Sequence, residues 1–373
     1  MSEKSASRIP VLIASSLKSV KDTRAWGKLG FSLRETNKYQ LNFIGFSEII
    51  QVEENGETYF SSTHILSTWG RIVSQFHFLR ALLKVRPELL ICCTYEFLPL
   101  AGLLKRVLKY KIIYDVQENY VANLDLNPTL SEGKIIVLAN LIKAFEASAK
   151  IDLYLLAEKC YVKEMPKKHP FLVLENKFSG TIKITNQINF SQEKAAYRFL
   201  ISGTLTPTYG ILKAIKWFKI LLQKYPKSNL QIIGHCTLFT FQEELELACN
   251  SCPQIDLFYS NSPLDYSLIL AAYKDKDFNL LPYQDLPQLW DKMPTKLFES
   301  AALGLPVLIS NNPYWKEFIS PFSGGFTVDF DHPNLALEQF VDAITKTYFS
   351  HTPDQSIYWS SIQREFTDAV EQL

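Results

Sequence analysis

Along this chain, apolar runs of four to seven residues alternate with longer stretches in which apolar positions recur every three or four residues. The short runs read as strands and the periodic stretches as helices. Their steady alternation predicts an α/β protein whose parallel sheets are covered on both faces. In the first half, strands are expected at 10–14, 41–45, 89–93, 111–114, 151–156 and 171–174, with helices at 25–36, 70–84, 98–108 and 132–150. An Asn-Gly pair at 55–56 predicts a small hairpin within 52–64. Helix 71–86 carries Ile72, Val73, Phe76, Leu79 and Leu83 on an apolar face, with Arg71, Arg80, Lys84 and Arg86 around it. Such a face is expected to cover the sheet, with an anionic membrane surface as the alternative.

The texture then changes. Residues 179–196 are polar and lack a sustained period, as in a connection between domains. A second series follows, with strands expected at 197–202, 230–234, 255–259, 278–281, 306–310 and 325–330. Its helices are expected at 211–225, 241–250, 264–272, 294–303 and 334–348, and a last helix at 357–373. The resulting domains are 1–178 and 197–350, with 351–373 packing back toward the first. A length of 373 residues fits two such domains at about 150 residues each. Two doubly wound domains place an active site in the cleft between them, at the carboxyl ends of the strands.

Composition narrows the classes. Hydrophobic residues make up 47% and charged residues 21%, which excludes a disordered chain. No apolar run reaches the roughly 18 residues of a membrane span, and the start reads as a strand rather than a signal peptide. The six cysteines include a lone C-x-x-C, Cys249 and Cys252, without further ligands at zinc spacing. A cytoplasmic protein with reduced thiols and no metal is expected. The net charge of +1 hides a split: residues 1–178 carry 24 Lys+Arg against 18 Asp+Glu, and the remainder is acidic. The basic side includes Lys105, Arg106, Lys109, Lys111, Lys163, Lys167 and Lys168. It predicts weak binding to an anionic membrane surface. Nucleic acid is not expected, because no aromatic stacking platform interleaves those cations.

The chemistry concentrates in 281–310. Pro294 suits a first helical position and Gly304 a helix stop. Asp291 precedes that helix, Lys292, Lys296 and Leu297 lie at its start, and Glu299 falls eight residues after Asp291. Helix N-terminal amides and two lysines can bind a diphosphate, and a carboxylate one turn further on can accept bonds from a ribose diol. The same spacing describes a capped helix with Asp291 as cap, Glu299 in water and the lysines on a solvated rim.

The segment resembles the signature of family 4 glycosyltransferases, which are retaining nucleotide-sugar enzymes of the GT-B fold. The matching positions are Asp291, Glu299, Gly304, Pro306 and Val307, with P-x-K-L-F-E at 294–299. Residues 199–215 look like the loop that opens the donor domain, around Gly203, Thr204 and Gly210. The stretch 230–235, ending in Gly234 and His235, resembles the strand beside the base. Residues 111–120, with Gln117 and Glu118, resemble the acceptor-domain D-x-H-E strand. The departures are Thr204 and Tyr209 at the usual cation positions, Gln117 for His and Asp291 for Glu. The resemblance implies a metal-independent transfer of a sugar from a nucleotide diphosphate sugar to a glycan or lipid-linked acceptor, in surface polysaccharide synthesis. It assigns Asp291, Gln117 and Glu118 to catalysis. Gly203, Thr204, Gly234, His235, Lys292, Lys296, Leu297 and Glu299 are assigned to the donor. Asp22 and Arg24, in the loop after the first strand, are acceptor-side candidates, equally readable as a surface ion pair. A GT-B-like sugar-nucleotide epimerase and a degenerate transferase acting as a partner protein are the competing readings.

Overall fold

Two compact units make up the computed structural model: Met1–Ser179 with Trp359–Leu373, and Gly180–Tyr358. It describes residues 8–47, 51–63, 68–127, 130–181, 186–190 and 194–373. Of the expected interdomain connection, 182–185 and 191–193 therefore lie outside the described residues, as does the end of the stretch 52–64.

The first unit is built on an eight-stranded sheet: β1 (Ile9–Ser19), β2 (Tyr39–Phe46), β3 (Gln51–Glu54), β4 (Glu57–Ser61), β5 (Leu89–Cys92), β6 (Lys111–Val116), β7 (Leu153–Leu156) and β8 (Phe171–Val173). The order is β3-β4-β2-β1-β5-β6-β7-β8, and every pairing is parallel except the β3–β4 hairpin. Asn55 and Gly56 turn that hairpin with positive φ of 52° and 79°, the requirement of a two-residue turn matched to strand twist. One face of the sheet packs Phe78, Ala81, Leu82, Leu98 and Ala101 from two helices, Thr68–Val85 and Leu98–Leu108. The other packs Leu29 and Leu33 together with Phe366 and Val370 of the last helix, Ser360–Glu371, and Trp359 just before it.

The sheet-covering face of Thr68–Val85 is not the one its sequence suggests. Ser74, Phe78, Ala81 and Leu82 are buried, whereas Trp69, Ile72, Phe76 and Leu83 are exposed. The buried side of the helix lies over β1, β2 and β4, and Trp69, Ile72, Phe76 and Leu83 point away from the sheet. Two cations of the basic half are likewise neutralised internally: Lys105 pairs with Asp152, and Lys168 is buried against Glu146 at 2.8 Å.

The second unit has a six-stranded sheet, parallel throughout: β10 (Arg198–Thr204), β11 (Asn229–His235), β12 (Ile255–Ser260), β13 (Phe278–Leu281), β14 (Val307–Ile309) and β15 (Gly325–Thr327), in the order β12-β11-β10-β13-β14-β15. Phe199, Trp217, Phe278 and Phe340 cluster against it with centroid separations of 5.3–6.0 Å, Trp217 edge-on to Phe199 and Phe340, Phe278 edge-on to Phe340 and stacked on Phe199. The helix expected over 334–348 stops at Ala343. Its last residues form β16 (Thr347–Tyr348), which pairs with β9 (Ile188–Asn189). The Tyr348 ring is thereby buried at 5.7 Å from Phe278, which a continuing helix would prevent.

Candidate functional site

The site in the second unit starts with two glycines. Gly203 and Gly234 are register partners at the carboxyl ends of β10 and β11, and Thr204 pairs with His235 beside them. A Cβ on Gly234 would stand 1.7 Å from the Gly203 carbonyl oxygen, so only glycine permits this approach. Gly203 itself has φ of +90°, closed to most L side chains, and bares its backbone at the strand end. After a turn, Gly210 begins the helix Ile211–Lys224 in a left-handed conformation. The turn is fixed from outside by Gln284, whose side chain donates to the Pro207 carbonyl at 2.8 Å and whose amide donates to that of Thr208 at 3.1 Å.

Against this loop lies Lys296. The helix runs Thr295–Leu303, with Pro294 just before it rather than inside it. Lys296 thus sits in the first turn, and its side chain reaches to within 3.0 Å of where a Gly203 Cβ would be. Its ammonium hangs over the rings of Tyr209 and Tyr283, at 5.2 and 5.5 Å from their centroids, and donates to the Tyr283 hydroxyl at 3.3 Å. The two rings stack at 4.3 Å and 16°. Burial lowers the Lys296 pKa to about 8, against the opposing pull of Glu299. His235 is held below its ordinary range by burial and by the Lys296 charge, so its imidazole is neutral at pH 7.

Glu299 does not face water. It is 4% exposed, and its oxygens accept from the Tyr266 hydroxyl at 2.8 Å and the Tyr273 hydroxyl at 2.9 Å. Burial, then the Glu299 charge, push both phenols well up, which keeps them as donors. Each carboxylate oxygen retains acceptor capacity beyond one phenol. Asn279, which sequence patterns did not single out, donates to Ser300 Oγ at 2.9 Å and leaves its Oδ1 buried without a partner. Leu297 is buried in the helix beside these groups.

Asp291 stands apart from this cluster of contacts. It ends the short helix Pro287–Trp290, is exposed, and does not cap the helix that follows. Its charge and hydrogen bond raise the pKa of Tyr314. The Lys292 carbonyl accepts from the Trp315 indole at 2.7 Å, which fixes the link between the two helices.

In the first unit the candidates form one chain of contacts at the end of β6. Arg24 is no surface residue: it is 2% exposed and grips Asp115 through Nε and Nη2 at 2.7–3.0 Å, leaving Nη1 buried without a partner. Burial works to lower its pKa, but the charge and hydrogen bonds of Asp115, with Cys93 and Asp22, together raise it. Asp22 instead caps the following turn, accepting from the amides of Arg24 and Ala25 at 2.9 Å. Gln117 donates to Asp115 at 2.8 Å and accepts from Lys18, while Glu118 accepts from Asn123 at 3.0 Å. Gln117 is thus a strut between Lys18 and Asp115. Among the described residues no three His, Cys, Asp or Glu side chains gather where they could hold a metal ion.

Residues 183–351 match the model of the family described as glycosyl transferases group 1. That is the stretch that holds the glycine pair, Lys296 and Glu299. Solved structures match over nearly the whole chain. Sucrose-phosphate synthase from Thermosynechococcus elongatus does so with a TM-score of 0.69 and 11% identity, over 98% of this chain and 99% of that one. The α,α-trehalose-phosphate synthase (UDP-forming) from Burkholderia vietnamiensis gives 0.64 and 12%, again over 98% and 99%. The Anabaena protein HepE, solved in complex with UDP and glucose, gives 0.61 and 13%, over 98% and 100%. At such identities the likeness is one of fold, and the fold is that of GT-B glycosyltransferases. No curated protein sequence matches the chain.

Proposed function

We propose that this protein is a retaining glycosyltransferase of the family 4 type, which moves a sugar from a nucleotide diphosphate sugar to a hydroxyl of a glycan or lipid-linked acceptor. The observation that carries the reading is the Lys296 cradle: a cation in the first turn of a helix, laid against the bare backbone of Gly203. As the glycosidic bond breaks, the leaving diphosphate gains charge, and a preformed ammonium with helix amides stabilises it without reorganisation. In this reading Glu299, fixed by two phenols, accepts from the ribose diol, His235 lies beside the base and Asp291 meets the donor sugar. Gln117 and Glu118 serve the acceptor side. Arg24 acts by holding Asp115 rather than by touching acceptor. No divalent ion is required, and the lipid-linked acceptor places the enzyme at the inner face of the cell membrane, in polysaccharide synthesis.

Uridine diphosphate is the first nucleotide to test, because structural relatives are described as UDP-forming or were solved with UDP. The experiment incubates the protein with a panel of nucleotide sugars and follows nucleotide release with and without glycan acceptors. Release that depends on acceptor supports the transferase. Interconversion of the nucleotide sugar without acceptor identifies an epimerase. Absence of both, with nucleotide still bound, identifies a degenerate partner protein.

A further inference from the structure

Two helices of the first unit, Thr68–Val85 and Leu98–Leu108, fill the same core face of the sheet. A third, Glu132–Ala147, packs beside Leu98–Leu108, and Lys105 donates to the Lys150 carbonyl just beyond it at 2.7 Å. The outer side of this layer is apolar. Trp69 is 65% exposed and Phe76 68%, and Ile72, Leu83, Leu103, Val107, Ile136, Val137 and Leu141 are exposed with them. These nine are half of the 18 exposed large hydrophobic residues among those described. Monomeric surfaces scatter such residues singly, and their concentration on one layer marks a contact surface.

The charge around them selects the partner. From Thr68 to Arg86, and again from Leu98 to Tyr110, the sequence contains no acidic residue. Arg80, Lys84, Arg106, Lys109, Lys134 and Lys143 are exposed on the same helices. On Thr68–Val85 the positions 69, 72, 76, 80 and 83 follow one helical stripe, so Arg80 stands within the apolar row. The third helix adds one exposed acid, Glu132, while its Glu146 is taken up by Lys168, so the face keeps an excess of cations. Apolar side chains of mixed size among such cations suit a bilayer interface, where rings enter the acyl boundary and cations meet lipid phosphates.

We infer that this layer docks the protein on an anionic lipid bilayer, with Trp69, Ile72, Phe76 and Leu83 inserted and the surrounding cations on lipid headgroups. The inference deepens the membrane part of the proposed function and is independent of the donor site. It also replaces the general basic surface with a defined face, since Lys105 and Lys168 are neutralised internally.

The test floats the full chain with vesicles of phosphatidylcholine alone or with phosphatidylglycerol added, at roughly 50 and 500 mM salt. Binding is expected to the anionic vesicles at low salt. A Trp69→Ser, Phe76→Ser variant should lower the partition coefficient about tenfold or more, the scale of losing buried aromatic surface. Phe239→Ser, an exposed ring in the other unit, should leave it unchanged. Both variants change exposed side chains, and unchanged UDP binding in solution controls for folding. No binding to anionic vesicles at low salt, or binding indifferent to the double variant, overturns the inference. So does a dimer in sedimentation equilibrium that the double variant dissolves, because a second copy would then cover the face. A wild-type chain that fails to float with anionic vesicles while its acceptor-dependent turnover is intact would sink the docking face alone. Flotation without nucleotide binding would sink the donor-site reading instead.

Discussion

Lys296 titrates where enzymes are assayed, so the donor reading makes a prediction about pH. With a pKa of about 8, Lys296 is about nine-tenths protonated at pH 7 and about one-tenth at pH 9. If a diphosphate binds only the ammonium, its affinity falls about tenfold over that interval, or about 1.4 kcal/mol. The sign is fixed by linkage: an anion raises the Lys296 pKa, so binding takes up a proton in the window above 8 and weakens as pH rises. Uridine lacks phosphates and should show no such slope. Calorimetry of UDP and uridine at pH 7, 8 and 9, in buffers of different ionisation enthalpy, reads both affinity and proton uptake. Lys296→Met should weaken UDP and abolish its slope while sparing uridine. That variant should be at least as stable as the wild type in urea, because burial opposes the charge it removes. A UDP affinity flat from pH 7 to 9 would refute the reasoning, as would an unchanged slope in Lys296→Met.

Glu299→Ala leaves the Tyr266 and Tyr273 hydroxyls without their acceptor, at about 1–3 kcal/mol for each buried donor, so a lowered urea midpoint is expected; Glu299→Gln should restore most of it and serve to test ribose binding. Arg24→Met strands the fully buried Asp115, and the loss of about 3–5 kcal/mol should be partly recovered by adding Asp115→Asn; a single variant as stable as wild type would contradict the ion pair. All six cysteines are free and buried, and burial lifts the Cys249 thiol to about 11, so a thiol reagent at pH 8 should label none rapidly until denaturant exposes all six.

Much of the fold is legible because each apolar run has one period. The strands of both sheets fall where short runs occur, since parallel strands buried on both faces need continuous apolar residues. Three features are not legible, each for a physical reason. The helix Thr68–Val85 has apolar residues on two sides, so periodicity alone cannot say which side meets the sheet. The end of the 334–348 helix depends on β9, a partner more than 150 residues away that no local pattern announces. Arg24 and Asp115 are likewise 91 residues apart, and a charged residue in a loop gives no sign of burial. In the proposed donor site, spacing singles out Lys296 and Glu299 but not Tyr266 and Tyr273, whose hydroxyls hold Glu299, nor the stacking of Tyr209 on Tyr283 under Lys296. Tyr209, the pair Tyr266 and Tyr273, and Tyr283 come from three separate segments, and tyrosine is ordinary in a core.

In the proposed donor site, two of those tyrosines bear on the missing loop cations. Tyr209 stands where the family resemblance expects a Lys or Arg, and its ring instead forms half of the stack beneath Lys296. The helix keeps the lysine of the signature at 296, and at 209 an aromatic face beneath it stands in place of the loop cation. A lysine at 209 would remove the ring and bring a second ammonium close to Lys296, lowering the Lys296 pKa further by like-charge repulsion. Tyr209→Lys alone should therefore shift the pH slope of UDP binding to lower pH, whereas Tyr209→Phe should leave it in place, since the ring face rather than the hydroxyl lies under the ammonium. Combining Tyr209→Lys with Lys296→Met removes the repulsion and should recover affinity relative to Lys296→Met. If the double variant binds UDP no better than Lys296→Met, position 209 does not reach the diphosphate, and the Tyr209 ring does not stand in for a loop cation.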